Sequence, residues 1–172
     1  MDLQENIIKE KSIYKGSFLE MVNVEVKLPD GNNTSRDIVK HPGATAIIAF
    51  LNEEDIILVE QFRLPLNRVM LEIPAGKLNN NEKLIECARR ELQEETGYIA
   101  KNLEYLGCIA TAPGFCDEII YLYKATDLIL GNKHEDDDEF TNVKVMNINK
   151  VKEMIKKGEI IDGKTISIFS YL

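Results

Sequence analysis

Hydrophobic and polar positions alternate strictly over residues 22–28. Val22, Val24, Val26 and Leu28 fall on one side of an extended chain and Asn23, Glu25 and Lys27 on the other, the pattern of a half-buried strand. Pro29-Asp30-Gly31-Asn32-Asn33 is a turn, after which Thr34 to Lys40 is placed to return as a partner strand. Ile7 to Tyr14 supplies a third strand. Such a small sheet buries little alone and needs a partner surface. The pattern changes at His41-Pro42-Gly43, which marks a boundary between an N-terminal β-subdomain (1–42) and a second domain (43–172). Ala44 to Phe50 is an apolar run of strand length, Asn52 to Asp55 a loop, and Ile56 to Phe62 the next strand. Met70 to Ile73 is a short strand entering Pro74-Ala75-Gly76. Further strands are predicted near Leu103–Thr111, Ile119–Thr126 and Val143–Ile148, with a long polar loop over Asp127–Phe140. An amphipathic helix is predicted over Asn149–Lys157, after an Asn cap and before Gly158. A terminal helix is predicted over Asp162–Leu172, although Ile166, Ile168 and Phe169 leave a strand open there. Mixed strands with helices before and after predict an α+β chain, an α/β/α sandwich around a mixed β-sheet with the N-terminal antiparallel piece attached.

The densest chemistry lies in AGKLNNNEKLIECARRELQEETGY, residues 75–98. Asn79, Asn80 and Asn81 are candidate caps, Glu82 suits a helix N-terminus, and Gly97 suits its end. At 100° per residue, Leu84, Ile85, Cys87, Ala88 and Leu92 share one arc of about 160°. Glu91 and Glu95 fall inside that apolar arc, with Glu94 at its edge. Glu82, Lys83, Glu86, Arg89, Arg90 and Gln93 point away. Ionised carboxylates on an inward face are costly unless paired or metal-bound, and two of them four residues apart repel. A shared cation would turn that repulsion into a binding site, and all-oxygen ligands favour Mg²⁺ before Mn²⁺ or Ca²⁺. The geometry alone leaves a second reading open, an acidic helix with Arg89 and Arg90 as ion-pair partners.

Composition narrows the function. With 172 residues, 44% of them hydrophobic, the chain suits one globular domain with a small appendage. A net charge of −8 argues against a partner of duplex nucleic acid. Cys87, Cys108 and Cys116 form no CxxC pair, so the reading is a reducing, cytoplasmic protein without a disulfide framework. The N-terminus has no apolar signal region, and no run approaches membrane-spanning length, so no membrane partner is expected.

The spacing resembles a known family at every fixed position. Gly76, then five residues, Glu82, then seven residues, then Arg90-Glu91-Leu92-x-Glu94-Glu95-x-Gly97-Tyr98 is similar to the signature of the Nudix hydrolase superfamily. The resemblance implies the Nudix fold and a loop–helix–loop that binds divalent metal and cleaves a diphosphate joined to a nucleoside. It would make Glu91, Glu94, Glu95 and the Ala75 carbonyl metal ligands for Mg²⁺, with Mn²⁺ also suitable. Arg90 would orient the carboxylates by ion pairing, Gly76 would allow the tight turn, and Glu82 reads as a helix-start or Arg-pairing residue.

Looser features resemble the ADP-ribose pyrophosphatase branch. Pro113 lies fifteen residues after Tyr98, within Ala112-Pro113-Gly114-Phe115-Cys116-Asp117-Glu118. There the loop would line the terminal ribose and Glu118 would bond its hydroxyls; otherwise Pro-Gly marks only a hairpin turn. Arg63, after Glu60-Gln61-Phe62, would grip phosphate bidentately, or else is a surface arginine at a strand end. Arg36 would meet adenine or phosphate from a second subunit, because the branch exchanges its N-terminal β-meander within a homodimer. The branch takes its base or a further metal ligand from an acidic loop before a late strand. Glu139 is the first choice here, with Glu135 and Asp137 as alternatives. Crowding among these carboxylates could raise one pKa, which suits a base. His41 and His134 read as structural and solvated, respectively. The implied activity is Mg²⁺-dependent hydrolysis of ADP-ribose to AMP and ribose 5-phosphate. The alternatives are another nucleoside-diphosphate sugar, such as GDP-mannose, or a non-catalytic ADP-ribose-binding regulator. Nucleic-acid cap processing is disfavoured by the charge.

Overall fold

The computed structural model describes residues 2–133 and 140–172. The chain divides into two compact units, one of Met1–Gly43 with Ala110–Ile119, the other of Ala44–Ile109 with Ile120–Leu172.

The first unit is built on three antiparallel strands in the order β1 (Asn6–Lys15), β2 (Glu20–Lys27) and β3 (Asn33–Lys40). The alternation in β2 does what it predicts. Val22, Val24 and Val26 are buried, with Leu28 and Ile38 packed against them. Gly31, with φ of 90°, sits in the turn between β2 and β3, a conformation that favours glycine. Residues 110–119 are tied to β3: Val39 N–H donates to the Phe115 carbonyl (2.7 Å), and Asp117 N–H donates to the Val39 carbonyl (3.2 Å).

The second unit is a mixed sheet with helices on both faces. The strands are β4 (Ala44–Phe50), β5 (Asp55–Arg63), β6 (Arg68–Glu72), β7 (Ala75–Lys77), β8 (Tyr98–Ala110), β9 (Ile119–Leu130) and β10 (Thr141–Asn147). The main path runs β10-β5-β4-β9-β8, with β6 added on β5 and β7 on β4. β4 and β9 pair in parallel, aligning Ala44 with Ile120 and Ala49 with Ala125. The helices are α1 (Leu84–Thr96), α2 (Ile148–Lys156) and α3 (Gly163–Ile168). Successive residues of a strand point to opposite faces, and β4 splits accordingly. Ala46 and Ile48 join Ile56, Leu58 and Leu122 under Val151, Ile160 and Ile168. Ile47 and Ala49 join Ile57, Tyr123 and Ala125 under Ala88 and Leu92 of α1. This continuous apolar run is the sandwich centre, buried on both sides.

Several boundaries differ from the sequence reading. α1 starts at Leu84 with Lys83 as an N-cap that makes no side-chain bond, so Asn79, Asn80 and Asn81 do not cap it. Instead Glu82 closes the preceding loop: Asn79 N–H donates to its carboxylate at 3.0 Å. Gly97 ends α1 as expected, at φ 77°, its N–H bonded to Gln93. β8 begins at once after that glycine, and β9 runs on to Leu130, shortening the polar loop. Asn147 caps α2 by accepting from Asn149 N–H at 3.0 Å, and Asp162 caps α3. α3 then tightens into a 3₁₀ turn over Phe169–Tyr171, so the strand alternative at the C-terminus falls. Among the described residues no helix is long and apolar enough to cross a membrane.

Candidate active site

The site grows from the contact between α1 and the turn leading into β7. Four consecutive residues of that turn are anchored. Glu72 is held through its side chain by Arg63, Ile73 N–H donates to Thr165 Oγ1 (2.9 Å), the Pro74 carbonyl accepts from Ile47 N–H (2.8 Å), and Ala75 N–H donates to Glu95 Oε2 (3.1 Å). Cys87 adds to the same wall. Its thiol accepts from Thr45 Oγ1 (3.2 Å) and donates to the Lys77 carbonyl (3.4 Å). Burial pushes this thiol up to about 11.

Glu91 and Glu95 are buried, at 8% and 4% exposure. The helical arc placed both correctly, and Cys87, Ala88 and Leu92 with them. Ile85, at the edge of that arc, departs from it, being 41% exposed. Gly76 is required for a steric reason: a Cβ there would lie 1.9–2.1 Å from the Glu91 carboxylate atoms. The backbone of the turn and the carboxylate therefore share a space that only glycine leaves open.

Arg90 gathers the other carboxylates. Its Nε and Nη2 each donate to Glu82 at 2.8 Å, and its Nη1 donates to Glu91 (2.6 Å) and Glu94 (2.8 Å). Nη2 also reaches the Lys77 carbonyl at 3.1 Å. The Arg90 hydrogen bonds hold the Glu82 carboxyl down at about 2, and the same contacts raise the Arg90 guanidinium above its usual range. The helical wheel had Arg90 pointing away. Its Cα does, but the long side chain bends back over the helix edge. Arg63 is a second arginine near these carboxylates. Nε and Nη2 donate to Glu72 at 2.9 and 2.7 Å, and Glu95 is close enough to add to the field that raises the Arg63 pKa, after the Glu72 hydrogen bonds.

Among the described residues no three His, Cys, Asp or Glu side chains are already arranged as a metal-ligand cluster. The donor chemistry nevertheless fits a hard divalent cation. Three carboxylates, Glu82, Glu91 and Glu94, share a single guanidinium, and the donors of Glu91, Glu94 and Glu95 are all oxygens. Glu91, Glu94, Glu95 and the Ala75 carbonyl are the groups that could hold such an ion.

The other candidates stand elsewhere. In the first unit, Glu118 accepts from Thr111 Oγ1 (2.7 Å) and lies 3.4 Å from His41 Nδ1, while Arg36 is paired with Glu5 at 2.6 Å. Pro113 and Gly114 sit in the loop bonded to β3, and a Cβ on Gly114 would meet nothing within 4 Å. His134, Glu135, Asp137 and Glu139 lie outside the described residues. Both flanks of that run are tied to the end of α1. Gly131 N–H donates to the Gly97 carbonyl (2.7 Å), and the Thr141 hydroxyl donates to the Glu95 carbonyl (3.2 Å).

The sequence reading missed Glu72, Asp162, Lys164 and Thr165. A carboxylate inside the apolar stretch Met70-Leu71-Glu72-Ile73 was a signal, and Asp162 before Thr165 was a capping signal.

A turn that meets a helix through glycine, with buried glutamates one helical turn apart, is the arrangement the Nudix resemblance leads one to expect. Comparison with known proteins agrees. Residues 40–167 match the model of the NUDIX domain, and the chain belongs to that family. It is 42% identical to an ADP-ribose pyrophosphatase of Bacillus subtilis (strain 168), over 99% of this chain and 93% of that protein. It is also 42% identical to a methanol dehydrogenase activator of Bacillus methanolicus, over 98% of this chain and 92% of that protein. A solved structure of an ADP compounds hydrolase shares the fold, with a TM-score of 0.84 at 18% identity, covering 97% of this chain and 91% of the other.

Proposed function

We propose that this chain is a Mg²⁺-dependent hydrolase of ADP-ribose that releases AMP and ribose 5-phosphate. The observation that carries the reading is the pair of buried glutamates, Glu91 and Glu95, set against the Ala75–Gly76 turn. A protein that only bound ADP-ribose would have no use for buried carboxylates that repel the substrate. The similarity to an ADP-ribose pyrophosphatase over nearly the whole chain supports the choice of substrate. The equal identity to a methanol dehydrogenase activator makes a partner-directed role the competing reading, and the buried carboxylates favour hydrolysis over it.

When bound, divalent ions would neutralise phosphate charge and make water a stronger nucleophile at neutral pH. The protein's own groups do the rest. Arg90 holds Glu91 and Glu94 in orientation. Arg63 has five N–H groups, of which two bond Glu72, leaving three for the diphosphate. A carboxylate of the run 135–139 takes the proton, Glu139 first and Glu135 or Asp137 otherwise. Attachment of both flanks of the run to the Glu95 end of α1 supports this. Glu118, oriented by Thr111, bonds the distal ribose, with Pro113 and Gly114 shaping its loop.

We further infer a homodimer with exchanged N-terminal strands, in which Arg36 meets the partner's nucleotide. Leu3, Ile7, Ile8, Ile13 and Tyr14, exposed in and beside β1, support the dimer. The division into an N-terminal β-subdomain and a hydrolase domain follows from the same reading. The free thiols of Cys87, Cys108 and Cys116 support a cytoplasmic setting.

The test is turnover of Glu95→Gln with Mg²⁺ and ADP-ribose. Glutamine can still accept from Ala75 N–H, so the fold survives, while loss of the charge lowers turnover by roughly two to three orders of magnitude. Near-normal turnover would sink the metal assignment. Faster wild-type turnover of GDP-mannose than of ADP-ribose would overturn the substrate.

A further inference from the structure

Glu72 is 1% exposed, and two cations meet it. Arg63 approaches through Nε and Nη2 at 2.9 and 2.7 Å, and Lys164 Nζ donates to Oε2. Lys164 comes from the first turn of α3, ninety-two residues away in sequence, and its side chain is 9% exposed. Lysine is rarely buried this far. It is kept there by Asp162, which accepts from Lys164 Nζ at 3.1 Å while its other oxygen accepts from the Thr165 N–H (2.9 Å) and hydroxyl (2.6 Å). Thr165 Oγ1 in turn accepts from Ile73 N–H, next to Glu72. The start of α3 is thus bolted to the segment that carries the Arg63 counter-ion.

A buried ion cluster of this kind is weak as a stability device, because well-packed apolar side chains usually serve as well. Its charge balance suggests a different use. Glu72 and Asp162 supply two negative charges, Arg63 and Lys164 two positive ones. Without Lys164, Glu72 and Asp162 would outweigh Arg63, leaving the cluster net negative and weakening the field at the open end of the Arg63 side chain, which is 38% exposed. With Lys164 in place the four charges cancel, Glu72 still fixes the guanidinium plane through two hydrogen bonds, and the remaining Arg63 N–H groups are left for an incoming anion without net repulsion from the cluster. Burial alone would push the Glu72 carboxyl up; the Arg63 bonds and Lys164 outweigh it and hold the group ionised.

We propose that Lys164 is a positioning residue for Arg63, acting through Glu72 to set how strongly Arg63 holds the substrate's diphosphate. This rests on the reading above, in which Arg63 grips that diphosphate.

The experiment is a kinetic cycle on the full chain with ADP-ribose and Mg²⁺, using Lys164→Met, Lys164→Arg, Arg63→Ala and the double variant Arg63→Ala/Lys164→Met. Thermal midpoints are recorded alongside. Lys164→Met should raise KM about tenfold with kcat changed less than about threefold, since the lost interaction acts on binding. Lys164→Arg should restore most of the difference. In the Arg63→Ala background, Lys164→Met should add less than about twofold, because the residue it acts through is gone. An equal KM rise with and without Arg63, or an unchanged KM beside a lowered thermal midpoint, would overturn the proposal. If Lys164→Met does not fold, Lys164→Gln replaces it under the same criteria. If Arg63→Ala leaves KM unaltered, the assignment of Arg63 to the diphosphate fails first, and the proposal with it. If the wild type binds ADP-ribose without cleaving it, the hydrolase reading fails, and the same cycle is decided from calorimetric Kd values. If the wild type does neither, both fall.

Discussion

Gly76→Ala puts the smallest possible side chain where the structure has least room for one. The new Cβ would lie 1.9–2.1 Å from the carboxylate atoms of Glu91, roughly 1.5 Å short of ordinary carbon contact. The backbone of Gly76 is not in the left-handed region, so the whole effect is steric. Something must yield. Glu91 is the flexible partner, but its carboxylate is tied to Arg90 Nη1 at 2.6 Å and buried against the turn. Moving it by more than an ångström breaks that bond and displaces a proposed metal ligand. Misplacement on this scale costs about a hundredfold in rate, and overpacking a tight site costs about 1–3 kcal/mol in stability. The assay is kcat/KM for ADP-ribose across a Mg²⁺ titration, with a thermal midpoint from the same preparation. A fall in rate of about two orders of magnitude, with a weakened Mg²⁺ midpoint and a folded protein, is the expected result. Wild-type rate and Mg²⁺ midpoint would refute the claim that Glu91 and the turn share one space.

Three other outcomes follow from the same geometry. The Glu82 carboxyl, held at about 2 by Arg90 against an ordinary 4.5, contributes stability that is complete above the unfolded value and is lost as pH falls through the folded one. The thermal midpoint of Glu82→Gln should therefore trail the wild type by a constant amount above about pH 5 and converge on it toward pH 2; a gap that persists in acid contradicts the pairing. In native protein near neutral pH, a thiol reagent should modify exposed Cys108 and then Cys116, whereas Cys87, buried and shifted to about 11, should react only after denaturation. Rapid labelling of Cys87 in the folded chain would contradict this. Thr165→Val leaves Ile73 N–H buried without its acceptor and should cost about 1–3 kcal/mol by urea denaturation, where a loss under 0.5 kcal/mol would mean that Asp162 and α3 do not brace the turn.

What was readable in the sequence was local. β4 is the clearest case, an apolar run whose predicted bounds, Ala44–Phe50, are those observed. Val22, Val24 and Val26 announced their buried face by alternation, and Gly97 its helix end. The α1 wheel placed Glu91 and Glu95 inside because a helix repeats at a fixed angle and the angle needs no partner to be known. The wheel failed for Arg90 because it records where a Cα points, not where a guanidinium several bonds away comes to rest. Likewise, Asn79–Asn81 offered cap chemistry, but Glu82 was drawn to Arg90 and closed the loop first.

The sequence by itself determined which segments extend, which coil, and that carboxylates crowd one helix face. Those are properties of neighbours along the chain. Only the tertiary structure decided that Glu72 is met by both Arg63 and Lys164, that Thr165 supports Ile73, and that residues 110–119 fold with the N-terminal strands. Lys164 and Thr165 reach Glu72 and Ile73 across ninety-two residues, and even Arg63 and Glu72, nine apart, meet only once their strands pair. No periodicity records which distant charge will meet a buried glutamate; that is settled when β6 pairs with β5 and α3 closes over the turn.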